Sequence, residues 1–144
     1  LTEDVCRDRR LSAERGITME TEIKTGVTAE INPQLFRLML DNLLQNAYRY
    51  GRENGWIKVI LSEKESGIVL KVADNGMGIG EKDLPHIWER FYRADNSRRK
   101  KGMGLGLSLV QQIVQYHQGR ITVSSAVGEG TEFCIIFEKV REEK

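Results

Sequence analysis

Three groups of residues have the types and spacing to do chemistry. The first is Asp74, delivered by the apolar run Ile68-Val69-Leu70-Lys71-Val72-Ala73 into the glycine-rich stretch Gly76-Met77-Gly78-Ile79-Gly80. Strand side chains alternate faces, so Asp74 shares a face with Ile68, Leu70 and Val72. A carboxylate at the lip of an apolar face is costly unless hydrogen-bond donors meet it. The glycines behind it let backbone approach a bound group closely. A buried acceptor beside open backbone suits an amino-bearing flat ring such as adenine; the competing reading is a turn acid that caps the next segment.

The second group is Asn42 and Asn46, one helical turn apart, with Arg49 and Tyr50 a turn further on. They fall on the apolar stripe of Leu35, Met39, Leu43 and Ala47. Amides on such a stripe need partners. They are either satisfied core asparagines or the wall of a polar cavity, where an amide oxygen can bind a hard cation. The third group is Gly102-Met103-Gly104-Leu105-Gly106-Leu107, which opens a helix. Its backbone N–H groups at the positive end of the helix dipole suit a phosphate. Between the glycine stretches lies the basic run Ala94-Asp-Asn-Ser-Arg-Arg-Lys-Lys101, which reads as a solvated loop or a mobile lid over an anion.

The elements that must position these groups follow from periodicity. Residues 1–16 read as a helix stopped by Gly16. Ile17–Ile23 alternates as a half-buried strand, with Val27–Ile31 able to return as its hairpin partner. Asn32 and Pro33 open a long helix that Gly51 stops. Trp56–Glu63 and Ile68–Asp74 form a hairpin, residues 83–93 a short aromatic helix with Trp88 and Phe91 in the core, and a helix after Gly106 carries Leu107, Val110, Ile113, Val114 and His117. Arg120–Ser125 and Thr131–Glu138 make a last hairpin; Thr131 shares parity with Phe133, Ile135 and Phe137, and Cys134 reads as a buried thiol. Hairpins alternating with helices give an α+β two-layer sandwich, a mainly antiparallel sheet covered on one face by helices.

The 144 residues suit one domain. Charged residues are 30% and the net charge is +1, which gives no reason to expect nucleic acid as a partner. Two cysteines do not make a disulfide framework or metal cluster. No run approaches transmembrane length, so the chain reads as cytoplasmic. Starting at Leu1, it reads as a piece cut from a longer protein whose membrane attachment stays open. The glycines fit neither a Walker A loop, which needs Gly-Lys, nor the Rossmann fingerprint, whose last spacing differs.

Taken together and in order, these stretches resemble the catalytic ATP-binding domain of bacterial sensor histidine kinases, in the GHKL superfamily with gyrase B, MutL and heat-shock chaperone ATPases. Asp41-Asn-Leu-Leu-Gln-Asn-Ala-Tyr-Arg-Tyr50 resembles the N box, and Asp74-Asn-Gly-Met-Gly78 the first G box. Trp88-Glu-Arg-Phe-Tyr-Arg93 resembles the F box, Gly102–Leu107 the second G box and Gly128-Glu-Gly-Thr131 the third. The resemblance implies the Bergerat fold with a mixed sheet and a flexible ATP lid at about 93–103, a domain over 17–140, a connecting-helix remnant at 1–16 and a frayed tail at 141–144.

It also implies roles. Asn46 would hold Mg²⁺ bridging the ATP phosphates, with Asn42 in support; Arg49 would reach the phosphates and Tyr50 pack near the adenine or ribose. Asp74 would accept the adenine amino group, with Gly78 and Thr131 completing the bonds through water, and Gly76 and Ile79 would also be ATP-binding. Gly102, Gly104 and Gly106 would let backbone N–H groups meet the phosphates, Met103, Leu105 and Leu107 would belong to the same ATP-binding stretch, and Arg93 would contact the γ-phosphate. In phosphoryl transfer such groups position substrate and neutralise charge. Met103 stands where the family often has Ser or Thr, and Trp88 where it usually has Phe.

Hydrolysing members of the superfamily carry a Glu four residues before the Mg²⁺-binding Asn. Asn42 stands there, and an amide cannot take a proton from water. Transfer to a histidine on a separate dimerisation domain, then to a response regulator, is the implied reaction. His86 and His117 are poor acceptors by their surroundings, and the fragment is expected to be a monomer from a homodimeric parent. An ATP-sensing regulatory module without phosphotransfer is the alternative.

Overall fold

In the computed structural model, residues 16–26, 30–65, 67–89 and 106–138 are described. Five strands form one sheet in the order β1 (Thr18–Ile23), β2 (Trp56–Lys64), β3 (Gly67–Asp74), β5 (Gly130–Glu138), β4 (Arg120–Ala126). Helices α1 (Pro33–Arg49) and α2 (Gly106–Tyr116) bring their apolar stripes to one face of it. The expected α+β sandwich with a mixed, mostly antiparallel sheet is the fold observed.

The rows of the sheet follow from side-chain alternation. Across the helix-covered face, Thr21, Val59, Val72, Phe133 and Val123 stand in one register row, and Ile23, Leu61, Leu70, Ile135 and Ile121 in the next. Met39, Leu40, Leu43, Leu44 and Ala47 of α1 and Val110, Ile113 and Val114 of α2 close over them. Leu70, Leu43 and Ile135 are 0% exposed, as a close-packed interior requires.

One pairing differs from expectation. The described partner of β1 is β2, in parallel, from Thr18 opposite Trp56 to Ile23 opposite Leu61. The expected return strand does not appear at Glu30 and Ile31, and residues 27–29 lie outside the described ones. Alternation shows that β1 has one buried face; it says nothing of its neighbour. The chain instead crosses over through α1, as a parallel pair demands.

Helix α1 begins where Asn32 and Pro33 say it should. Asn32 Oδ1 accepts from the N–H groups of Gln34 (3.0 Å) and Leu35 (3.1 Å), satisfying two donors that the first turn leaves without helical partners. We expect Asn32→Ala to cost about 1 kcal/mol in a denaturant melt. The far end of α2 reaches this same cap. His117 Nδ1–H donates to Ile113 O (2.8 Å), and Nε2 accepts the Asn32 N–H (2.9 Å). The residue that leaves the helix in the left-handed region is Gln118 (φ 58), while Gly119, the expected stop, is needed because a side chain there would press on the Ile136 carbonyl.

The expected aromatic helix shows only a 3-10 turn at Leu84–His86 among its described residues. Trp88 is half-buried and packs against the core, edge-on to Phe133 at 6.0 Å; Phe91 lies outside the described residues. Cys134 is half-buried on the sheet face away from the helices rather than fully buried, because parity places it opposite Phe133 and Ile135.

Candidate nucleotide-binding site

The end row of the sheet differs in chemistry from the apolar rows above it. It runs Met19, Ile57, Asp74, Thr131, Ser125 across all five strands. Asp74 and Thr131 are each 8% exposed, on the helix-covered face. Burial pushes the Asp74 carboxyl up from 3.8 to about 6, against the pull of backbone N–H groups of Gly76 and Thr131. The Gly76 N–H reaches Asp74 Oδ1 at 2.8 Å. The bond from the Gly76 N–H is the turn contact of the competing reading; the burial of the carboxyl goes beyond it and leaves Asp74 a buried, mostly ionised acceptor at neutral pH.

The glycine stretch after Asp74 is clamped from two sides. The Met77 N–H donates to Tyr50 O (3.1 Å), holding the stretch against the end of α1. A side chain on Gly76 would strike Tyr50 O and sit 2.9 Å from Gly51 Cα. On the other side, the Gly128 N–H donates to Met77 O (2.8 Å) and the Ile79 N–H to Ser125 Oγ (2.7 Å). Gly78 sits at φ +74, where any side chain would strike the Ala126 carbonyl, a conformation and a closeness that only glycine tolerates.

The remaining expected site residues fall as follows. Asn46, Arg49 and Tyr50 lie at the C-terminal end of α1, each half-buried, and the Tyr50 carbonyl meets the clamped stretch. Asn42 is half-buried: one N–H of its Nδ2 donates back to Leu38 O (2.8 Å), and its Oδ1 faces the start of α2, 3.0 Å from where a Gly106 Cβ would stand. Gly106 and Leu107 open α2. Arg93, Gly102, Met103, Gly104 and Leu105, with the lid at 93–103, lie outside the described residues, as do the tail at 141–144 and all of the connecting segment at 1–16 except Gly16.

Among the described residues no three His, Cys, Asp or Glu side chains come together as a metal site. The amide oxygen of Asn46 is a single neutral ligand, which suits Mg²⁺ that arrives on nucleotide phosphates and keeps most of its waters. The residues present fit that ion and no self-contained metal centre. Ser125, Asn75 and Arg52 were missed by sequence reasoning. Asn75 Oδ1 accepts the Trp56 N–H (2.7 Å), and Arg52 donates to Gly128 O (2.7 Å). Strand parity with Ile121 and Val123 is the signal that could have found Ser125.

Residues 31–141 match the family described as histidine kinase-, DNA gyrase B-, and HSP90-like ATPase. This chain belongs to that family. It is 40% identical over 105 residues to the sensor histidine kinase YvrG of Bacillus subtilis, covering 72% of this chain and 18% of that protein. It is 39% identical over 123 residues to the signal transduction histidine-protein kinase ArlS of Staphylococcus epidermidis, covering 83% and 27%. The chain thus spans only about a fifth to a quarter of such curated relatives. Among solved structures, the mycobacterial sensor histidine kinase MprB is similar with a TM-score of 0.82 at 28% identity, covering 95% of this chain and 94% of that one. A nucleotide-free catalytic domain of histidine kinase ThkA gives a TM-score of 0.83 at 25% identity, covering 96% and 90%. The family's ATP-binding role agrees with the end-row chemistry of Asp74 and Thr131.

Proposed function

We propose that this domain binds Mg²⁺–ATP and transfers its γ-phosphate to a histidine on a separate dimerisation domain of the parent protein, which passes it to a response regulator. The observation that carries the reading is Asp74, buried in the end row with its carboxyl pushed up to about 6 by burial against the pull of two backbone N–H groups, beside glycines that leave no side chain in the way. Asp74 accepts the adenine amino group. Thr131, Gly78, Gly76 and Ile79 complete that end of the pocket, and Tyr50 flanks the adenine or ribose.

Asn46 would hold the Mg²⁺, whose charge offsets the phosphates, and Arg49 reaches them as well. Arg93 and the backbone of Gly102, Met103, Gly104, Leu105, Gly106 and Leu107 are assigned to the phosphates by resemblance. Asn42 offers no base for water, since an amide cannot take its proton, which supports transfer over hydrolysis. The acceptor is placed elsewhere. The one lone pair of the neutral His117 ring already accepts the Asn32 N–H, and His86 is engaged with Glu89 at 3.0 Å. We further propose that the domain works in the cytoplasm as a monomeric unit of a homodimeric, membrane-anchored parent.

The test is labelled ATP given to the 144-residue chain, alone and with an added acceptor domain. We expect no acid-labile phosphate on the chain alone and label on the acceptor's histidine when both are present. Nucleotide binding without label on any acceptor would instead make the domain an ATP sensor. Label on His86 or His117 would overturn the assignment of the acceptor.

A further inference from the structure

Ser125 stands at the edge of the end row, opposite Thr131 on β5. Its hydroxyl has three neighbours: the Ile79 N–H at 2.7 Å, Gly130 O at 2.8 Å and Thr131 Oγ1 at 2.9 Å. A hydroxyl has one proton and two lone pairs. The carbonyl of Gly130 can only accept, so the proton of Ser125 points there. The Ile79 N–H can only donate, and takes one lone pair. The remaining contact, between two hydroxyls, is then bridged by the proton of Thr131. Every hydrogen-bonding capacity of Ser125 is used, and the Thr131 proton is turned away from the pocket.

We propose that Ser125 is a specificity-positioning residue: it leaves Thr131 presenting lone pairs alone, so that the wall formed with Asp74 accepts hydrogen bonds and cannot donate them. This inference rests on the nucleotide reading of the same site. Thr131 stands directly opposite Asp74 in the sheet, and both are 8% exposed. A group that meets both side chains must bring N–H or O–H donors, directly or on a bridging water. An exocyclic amino group does so; a ring carbonyl at the same position brings lone pairs against lone pairs and leaves buried acceptors unsatisfied. The chemistry that Ser125 selects is thus an amino-purine over its oxo counterpart. The same hydroxyl anchors Ile79, so it also sets the position of the glycine stretch beside the base.

The experiment compares calorimetric affinities of ATP and inosine triphosphate, in which a carbonyl replaces the amino group, for the unaltered chain and for Ser125→Ala. We expect the unaltered chain to favour ATP. Ser125→Ala frees the Thr131 hydroxyl to rotate and donate, so the preference should shrink about 10-fold, with ATP affinity itself falling a few fold. Thr131→Val removes the lone pairs and should shrink the preference similarly; adding Ser125→Ala to it should then change the ratio no further. An equal loss for both nucleotides in Ser125→Ala, with the ratio unchanged, would show Ser125 to be structural only and overturn the inference. Should Ser125→Ala fail to fold, an unchanged ratio in Thr131→Val overturns it equally. Failure of the unaltered chain to bind either nucleotide is a different result, and counts against the nucleotide reading itself.

Discussion

Asp74→Asn will raise the stability of the nucleotide-free domain while abolishing its tight binding of ATP. The carboxyl is pushed up from 3.8 to about 6 by burial, so the native state holds a proton more firmly than the unfolded chain does. Between those two values the native state binds more protons, and stability therefore falls as pH rises through the window, reaching its full deficit above about 6. A displacement of roughly two units corresponds to roughly 3 kcal/mol at neutral pH. The neutral amide escapes the desolvation of charge but still buries a polar group, so a gain of about 1–2 kcal/mol is expected.

Binding moves the other way. Oδ1 is occupied by the Gly76 N–H, so the amide would turn its NH₂ towards the ligand. A donor then meets the donating amino group of the base, and affinity should fall by about 100-fold or more. In the unaltered chain, affinity should weaken as pH drops below about 6, where Asp74 takes up its proton. Urea melts at about pH 3 and about pH 7, on either side of that window, paired with calorimetry at about pH 5 and about pH 7, check all of this. A variant no more stable than the parent at neutral pH, or one that still binds ATP tightly, contradicts the assignment of Asp74.

Gly76→Ala should cost about 2–4 kcal/mol and remove nucleotide binding as well. The new methyl would collide with Tyr50 O and lie 2.9 Å from both Gly51 Cα and Asp74 Oδ1. None of these is the free end of a flexible side chain. Two are backbone at the close of α1, and the third is held by the Gly76 N–H itself. Relief requires the stretch to move off α1, which breaks the Met77 to Tyr50 bond and withdraws a donor from Asp74. Gly80→Ala is the control: nothing lies closer than 3.7 Å, and its cost should stay below about 1 kcal/mol. Comparable melts for the two variants would show that the clamp on Gly76 does not hold the site together.

Much of the site is legible in the chain because local rules govern it. The period of β3 places Asp74 on the core face before any neighbour is known, and the same parity argument places Thr131. Asn32 and Pro33 announce the start of α1 through capping chemistry that needs only the next few residues. The resemblance joins these stretches into one ATP site because several of them occur in a fixed order.

Local pattern thus fixes which residues face inward and where the long helix begins. Strand neighbours depend instead on packing in three dimensions. Alternation in β1 is equally consistent with a hairpin return and with the parallel seat beside β2, and only packing of the crossover helix α1 selects the second. The partners of individual polar atoms are set at the same level. Asn42 reads in the sequence as either a core amide or a cavity amide, and only the fold shows its Nδ2 bonded back to Leu38 and its Oδ1 facing Gly106 of the second helix. Ser125 gains its three hydrogen bonds only when β4 closes against β5 and the glycine stretch, since a contact between residues 46 positions apart in the chain leaves no local trace.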